Sequence, residues 1–269
     1  MPRPRAPRHG RSDGNKPLDS SGMAGRTVKV EAVVLRSIRY GEADRILHLY
    51  SAERGRLGAI AKGVRKTKSR FGARLEPLSH VRLLVHEGSG ELHTITGVEL
   101  LASHHGIRED GYRLNVGLIG AEAMLRLHAE PEANDRAFAA LTRFLDALDT
   151  VAPLEGRPAL DPLVLSFQLK LLWLSGYLPH VTSCIECGAP AGELVGFSAR
   201  AGGAVCGAHA AGALRLSPEG LAGIEHLLTT PLADAHGAGL SDRARRDALA
   251  VVTASYEEHG GFRLRTVSA

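Results

Sequence analysis

The spacing of apolar residues changes near Ser103, and this change restricts the chain to an α+β architecture with two parts. Before Ser103 the apolar residues form five short runs with the alternation of β-strands, separated by turn residues. After Ser103 they recur every three or four residues, which places them on one face of a helix. The sequence therefore predicts a β-rich first part and an all-α second part.

The five runs before Ser103 favour a small closed β-barrel. They lie at residues 28–35, 46–50, 57–61, 81–85 and 92–98, with turn residues at 51–55 and 88–90. Gly58 in the third run suggests a bulge or a close backbone approach. Five short antiparallel strands fit an OB fold, and an SH3-like barrel stays open as the alternative because periodicity does not separate the two.

Capping residues mark where the helices of the second part should begin. They are Asn134 or Asp135, Asp161 before Pro162, Ser217 before Pro218, and Ser241. Gly260 should end the last helix. The segment 163–174 is apolar nearly all round, so we expect it at the buried centre of this part.

The charge of the chain is divided unevenly between its two parts. We expect a disordered basic tail at residues 1–25, an OB-fold domain at 26–103, and a helical domain at 104–269 with a zinc-binding insert at 180–210. The net charge is +4, but the first hundred residues carry +9 and the remainder −5. The stretch 56–74 holds seven cationic side chains and no acidic one. This distribution predicts a polyanion site on the first domain.

The three cysteines are spaced as metal ligands. Cys184 and Cys187 form a C-x2-C pair, and Cys206 with His209 follows later in the chain. Thiolates and an imidazole at this spacing can close a tetrahedral zinc site, and four protein ligands leave no open position for a catalytic water. We therefore expect one structural Zn²⁺ in a zinc ribbon, with His180 as the reserve ligand should His209 point away.

Motifs of enzymes and of membrane proteins are incomplete. His128 and Glu130 match the H-x-E of zinc deaminases, but Ser183 stands where a proline should precede the first cysteine pair. Lys62 precedes Gly63 instead of following it, as a P-loop requires. No apolar stretch approaches the roughly 20 residues of a membrane span. The first residues are basic but lack the apolar region of a secretory signal, so we expect none. We expect a cytoplasmic, nucleoid-associated protein that is not an enzyme.

A combination of glycines, acidic residues and basic residues within segment 39–78 carries a family resemblance. Its members are Tyr40-Gly41-Glu42-x-Asp44, Gly55-Arg56-Leu57-Gly58, Lys62-Gly63-Val64-Arg65-Lys66, Ser69 and Leu75-x-Pro77. The combination resembles the N-terminal domain of the RecO family of bacterial recombination mediators, and a looser similarity extends from residue 28 to the end of the chain. One departure is His209, where zinc-bearing relatives carry a fourth cysteine.

The resemblance implies an OB-fold barrel followed by a helical domain, often with an inserted zinc ribbon. It implies binding of single- and double-stranded DNA, annealing of complementary strands and, with RecR, loading of RecA onto DNA coated by single-strand-binding protein. In the family the helical domain offers a groove to the acidic C-terminal tail of single-strand-binding protein. Local cations for such a groove are Arg113, Arg126, Arg143 or Lys170. The alternatives are an RNA-binding protein of translation or transcription and a pure scaffold.

Within this interpretation, the barrel should bind DNA mainly through phosphates. The predicted contacts are Arg36, Arg39, Lys62, Arg65, Lys66, Lys68, Arg70 and Arg74. Few aromatic residues are available for base stacking; Tyr40, Tyr50 and Phe71 are the candidates, with Tyr50 better suited to the core. Glu42 and Asp44 should fix the turn after the first strand through ion pairs, and a contact with a partner is the alternative role. The arginines considered for these pairs are Arg39, Arg45 and Arg56.

Overall fold

A computed structural model describes residues 25–66, 69, 71–87, 90 and 92–267. Its first part is a closed barrel of β1 (Thr27–Tyr40), β2 (Asp44–Ser51), β3 (Gly55–Ala61), β4 (His80–His86) and β5 (His93–Ala102). The strand order is β1-β2-β3-β5-β4, with β4 returning to β1 and a parallel pairing between β3 and β5. This is the OB topology, which confirms the predicted barrel over its SH3-like alternative. The predicted tail lies outside the described residues except for Gly25.

A bulge in β1 allows this one strand to close the barrel. Residues 27–33 pair with β4 and residues 32–40 pair with β2, and the register with β2 shifts between Val34 and Arg36. An extra residue in a strand adds bending and twist, so the two halves of β1 can face different neighbours. β3 passes Gly58 in unbroken register with His48, so the bulge suggested at Gly58 is absent there. Register shifts occur instead in β1 and in the pairing of β4 with β5.

Alternating side chains fill the barrel. In β3 the residues Leu57, Ala59 and Ala61 are buried, and the residues between them are partly exposed. Phe71 and Leu75, beside a short 3-10 turn at Gly72–Leu75, join the same core. The other members of this core are Val30, Ala32, Val34, Leu47, Leu49, Val81, Leu83, Val85 and Ile95.

The second part is helical, as predicted. Its helices are α1 (His105–Glu109), α2 (Gly111–Leu127), α3 (Asp135–Thr150), α4 (Pro162–Leu174), α5 (Pro218–Thr229), α6 (Leu232–Ala235) and α7 (Asp242–Gly260). The side chains of Asn134, Asp161, Ser217 and Ser241 each accept a backbone N–H bond at the start of a helix, which confirms the predicted caps. The short helices α1 and α6 were not predicted.

Helix α4 forms the centre of the helical core. All of its residues from Pro162 to Leu172 except Lys170 are buried, and Phe167 stacks on Phe144 of α3 with ring centroids 4.4 Å apart. The insert between α4 and α5 is a three-stranded sheet of β6 (Leu194–Ser198), β7 (Gly203–Cys206) and β8 (Leu214–Arg215), in the order β7-β6-β8. The predicted hairpin of the ribbon is β6 and β7; β8 was not predicted.

The barrel and the helices share one apolar cluster. Val33, Leu35, Tyr50 and Leu78 of the barrel pack with the helical core instead of with the barrel interior. A Cβ atom placed on Gly117 of α2 would lie 2.6 Å from Leu78 Cδ1, so glycine is needed for this close approach. The outer face of the barrel is therefore covered on one side by α2.

Among the helices that the structure describes, none combines the length and hydropathy needed to cross a lipid bilayer.

Candidate nucleic-acid interface and metal centre

The insert brings the three cysteines and His209 together. Gly188, at φ 75°, lets the chain turn back after the first pair, and its N–H donates to the carbonyl of Cys184 at 2.8 Å. Cys206 ends β7, and His209 lies in the 3-10 turn at Gly207–His209 that follows. The four side-chain ligand atoms all lie within 4.8 Å of one another.

The distances in this group fit a tetrahedral metal site. Cys187 Sγ lies 3.8 Å from Cys206 Sγ, and His209 Nδ1 lies 3.8 Å from Cys184 Sγ and 3.3 Å from Cys206 Sγ. Zn–S bonds of about 2.3 Å at tetrahedral angles place two sulfur atoms about 3.8 Å apart. The group could therefore hold a metal ion, and its soft donor set fits zinc.

Metal ligation requires thiolates, and the surroundings favour them at Cys184 and Cys206 but not at Cys187. A backbone N–H of Ala189 lowers the pKa of Cys187, but hydrogen bonds with the other two thiols outweigh it and raise that pKa. Burial raises the pKa of Cys184, but backbone N–H groups of Cys206, Cys187 and Glu186 outweigh it and bring that pKa to about 6. A hydrogen bond from His209 lowers the pKa of the Cys206 thiol, and the same bond raises the pKa of His209.

His180, the reserve ligand, forms hydrogen bonds within the insert instead of joining the metal-binding group. Its Nε2 lies 2.8 Å from the hydroxyl of Ser183, and its backbone bonds to Gly202 and Ala204 beside the hairpin. It is not a member of the four-residue group.

The loop after β3 that carries Lys62, Arg65 and Lys66, here called the basic loop, is tied to the turn between β1 and β2. The Asp44 carboxylate accepts the N–H of Gly63 at 2.7 Å, and Arg65 Nη1 donates to the carbonyl of Glu42 at 3.0 Å. Asp44 therefore has the predicted structural role, but it acts by accepting a hydrogen bond from a backbone N–H and not by forming an ion pair. Arg45, one of the arginines considered for that pair, contacts Glu76 at 3.3 Å instead.

Most predicted DNA contacts that the structure describes lie near this loop. Lys62, Arg65 and Lys66 are exposed in the turn that follows β3, and Arg39 is exposed near the end of β1. Arg74 is exposed but donates to the carbonyl of Val98 on β5 at 3.1 Å. Lys68 and Arg70 lie outside the described residues.

Arg36 lies apart from this group, further back along β1. It is exposed opposite His48 of β2, on the side of the barrel that faces α2. The predicted cations thus divide into a set around the loop and one residue at the junction with the helices.

Of the three aromatic candidates for base stacking, Tyr40 alone is exposed, by 54%. Tyr50 is 1% exposed in the shared core, and Phe71 is 2% exposed in the barrel core. Phe71 as a stacking residue is therefore wrong, because the 3-10 turn directs it inward. Ile38 on β1, opposite Ile46 of β2, is the exposed apolar neighbour of Tyr40.

A wide groove of about 1010 Å³ opens on the helical part between α3, α4 and α6. Its lining includes Trp173, which is 51% exposed, together with Leu174 and Leu232. The cations in its lining are Arg136, Arg143 and Lys170. Of the four cations considered for such a groove, Arg143 and Lys170 line it, whereas Arg113 and Arg126 do not.

Comparison with known families matches both parts of the chain. The family described as recombination protein O N terminal matches residues 23–104, and the one described as recombination protein O C terminal matches residues 108–267. The chain belongs to the RecO family. It is therefore a RecO-family DNA repair protein.

Curated relatives named DNA repair protein RecO align with this chain over most of their length. DNA repair protein RecO of Rubrobacter xylanophilus is 41% identical over 220 residues, which cover 80% of this chain and 86% of the relative. DNA repair protein RecO of Anaeromyxobacter sp. strain K is 37% identical over 242 residues, which cover 88% of this chain and 93% of the relative.

Three further arginines come close to Arg36 only through the fold. Arg56 on β3, Arg126 on α2 and Arg265 beyond α7 line the same groove between barrel and helices. Their sequence separation gives no local signal of this proximity. Strand alternation does place Arg56 on the outward face of β3, which is the one clue the sequence contains.

Proposed function

We propose that this protein binds single- and double-stranded DNA through phosphates on the barrel and acts as a recombination mediator. The observation that carries the proposal is the exposed cluster of Lys62, Arg65 and Lys66, held on a turn whose backbone is fixed by Asp44. Among the described residues, no carboxylate forms an ion pair with these three cations. Arg39, Arg74, Lys68 and Arg70 extend the proposed contact set.

Annealing follows from charge neutralisation and needs no chemistry. Two strands repel through their phosphates, and cations that neutralise both strands lower that repulsion. Base pairing then supplies the driving force. Among the described residues of this surface, Tyr40 is the one exposed aromatic side chain. Binding through the DNA backbone would therefore explain how one protein accepts strands of any sequence.

Family membership and the helical groove support the partner proteins that we propose. We propose that the groove between α3, α4 and α6 receives the acidic, amphipathic tail of single-strand-binding protein. Its apolar lining at Trp173 and Leu232 suits the apolar residues of such a tail, and Arg143 suits its carboxylates. Lys170 lines the same groove, but its Nζ already donates to two backbone carbonyls. With RecR, the protein would then help RecA load onto the coated strand, in the cytoplasm at the nucleoid.

The metal centre would be a structural Zn²⁺ held by Cys184, Cys187, Cys206 and His209. Four protein ligands complete the tetrahedron, so the ion would stabilise the insert and supply no catalytic water. We propose that residues 26–103 form the barrel domain, that residues 104–269 form the helical domain, and that residues 180–210 form the metal-binding insert.

The decisive test is annealing of complementary strands coated by single-strand-binding protein. The test variant combines Lys62→Ala, Arg65→Ala and Lys66→Ala in the full chain. A control with the same net charge combines Arg26→Ala, Lys29→Ala and Arg200→Ala, which are exposed away from the loop. We expect the test variant to anneal slowly and to bind every sequence more weakly. The slope of log K against the logarithm of the salt concentration should be less steep by about 2. The control should behave like wild type.

Two results would contradict the proposal. Equal annealing and equal salt slopes for the test variant and wild type would exclude the loop as the DNA site. Stronger binding to single-stranded RNA than to single-stranded DNA of the same length would favour the RNA-binding alternative instead.

A further inference from the structure

A groove of about 760 Å³ separates the barrel from the helices beside their shared core. Its barrel wall carries Arg36, His48 and Arg56, and its helical wall carries Arg126 and Arg265. The two walls are held together at one end, because Arg56 Nη1 donates to the carbonyl of Ala129 after α2 at 3.2 Å. Tyr50 packs edge-to-face against His128 beneath this contact. Contacts between the barrel and the helices therefore fix the two walls of the groove relative to each other.

The groove is strongly electropositive. Four arginines line it, and Glu122 is the only carboxylate among its described lining residues. That carboxylate already accepts three hydrogen bonds from residues 265 and 266 of the C-terminal segment. No described carboxylate forms an ion pair with any of the four arginines. The positive charge is thus left for a ligand.

His48 lies in the field of these arginines. Burial lowers the pKa of His48, and the positive charges of Arg56 and Arg36 lower it further. No neighbouring anion is among the causes of the shift. The walls also offer apolar surface at Leu118 and Leu125 of α2. A ligand of this groove should combine several negative charges with an apolar body.

The groove continues the surface proposed for DNA. Arg36, Ile38 and Tyr40 alternate along the outward face of β1, so this strand leads from the groove to the basic loop over about 13 Å. A nucleic-acid strand has the required chemistry, because its phosphates suit the guanidinium groups and its sugars and bases suit the apolar surface.

We propose that the groove is a second nucleic-acid site, which holds the phosphates of a single strand already bound on the barrel loop. This inference rests on the proposed DNA binding and adds a path across both parts of the chain. Arg126 and Arg265 would contact the strand on the helical side, and Arg36 and Arg56 on the barrel side. A longer strand would therefore gain contacts that a short strand cannot reach.

The test compares oligothymidines of two lengths in fluorescence anisotropy with the full chain. A strand of about 8 nucleotides falls within the site size of one OB fold, and one of about 20 nucleotides exceeds it. The groove variant is Arg126→Gln with Arg265→Gln. Its charge-matched control is Arg215→Gln with Arg246→Gln, both exposed outside the groove. Because Arg126 also stacks over the ring of Phe262 at 4.9 Å, the single variant Arg265→Gln tests charge without disturbing that packing.

We expect the groove variant to bind the short strand like wild type and the long strand more weakly. Its salt slope for the long strand should fall by about 1.4, and that of Arg265→Gln by about 0.7. Unchanged binding of both strands by the groove variant, with normal binding by wild type, overturns this inference and leaves the proposed function standing. Absence of DNA binding by wild type overturns both. A polyglutamate peptide that binds wild type and not the groove variant, while DNA binding is unchanged, identifies a peptide site and also overturns the inference.

Discussion

Replacing Glu122 with alanine should release the C-terminal segment from α2 while the core stays folded. The Glu122 carboxylate accepts the backbone N–H of Arg265 at 3.0 Å, the backbone N–H of Thr266 at 2.9 Å and the Thr266 hydroxyl at 2.7 Å. Phe262 and Leu264 are buried independently of these bonds. The loss should therefore be local and should affect residues 265–267 most.

The expected size follows from these contacts. Hydrogen bonds to a charged group contribute about 1.5–3 kcal/mol each, and partial exposure of Glu122 places these near the lower end. Ordering two backbone residues costs about 1–2 kcal/mol each. Three bonds near 1.5 kcal/mol total about 4.5 kcal/mol, so the difference leaves about 0.5–2.5 kcal/mol of local stability. Since about 1.4 kcal/mol is a factor of ten, opening of the segment should become roughly 2- to 60-fold more frequent.

Hydrogen exchange of the amides of Arg265 and Thr266 measures this opening directly. Both protection factors should fall in Glu122→Ala, whereas those of α4 and the global unfolding midpoint should change little. Glu130→Ala, an exposed carboxylate beyond α2, is the matched control and should leave all protection unchanged. Equal protection of Arg265 and Thr266 in wild type and Glu122→Ala would refute the assignment of this carboxylate as the anchor.

The pH dependence of the same anchor has a defined sign. Burial raises the pKa of Glu122, but hydrogen bonds from Arg265 and Thr266, with Arg126 nearby, hold that pKa below its ordinary value of 4.5. A lowered carboxyl pKa contributes stability that is present above pH 4.5 and is lost as the pH falls through the folded-state value. Wild-type protection of the two amides, corrected for intrinsic exchange, should therefore approach that of Glu122→Ala only in acid.

Other parts of the structure give predictions of a similar kind. Cys206→Ser should lower the zinc content and the thermal midpoint, and a chelator should destabilise wild type but add little in the variant, as metal analysis and calorimetry would reveal. Tyr40→Ala should weaken single-strand binding by about 1–3 kcal/mol in a titration without lowering stability. Tyr50→Phe should keep or raise the free energy of unfolding by up to about 1 kcal/mol in urea, since no described group bonds its buried hydroxyl. Gly117→Val should lower that free energy by about 1–3 kcal/mol through overpacking against Leu78, and a neutral effect would contradict the tight joint.

Features set by local sequence were predictable. A side chain such as Asp161 caps the helix that starts beside it, so its role can be read from a few neighbouring residues. The spacing of the cysteines likewise predicted a group that the fold brings together. Family resemblance and strand periodicity together indicated the OB barrel, and the strand order bore this out.

Features set by long-range packing were not predictable. Phe71 follows the basic loop, and nothing in the sequence distinguishes an exposed aromatic there from one that fills the barrel. Asp44 and Gly63 are far apart in sequence, so their bond could not be chosen over an ion pair. The approach of Arg265 to Arg36 depends on how the segment after α7 returns to α2.

The shared cluster at Val33, Leu35, Tyr50 and Leu78 has a consequence for biosynthesis. Barrel strands leave the ribosome before α2, so a completed barrel carries an uncovered apolar face until residues of α2 follow. During that interval the nascent chain is prone to bind other apolar surfaces. A truncated product ending near Ala102 would keep this face uncovered permanently, and we expect chaperone retention or aggregation of such a fragment rather than an independent DNA-binding module.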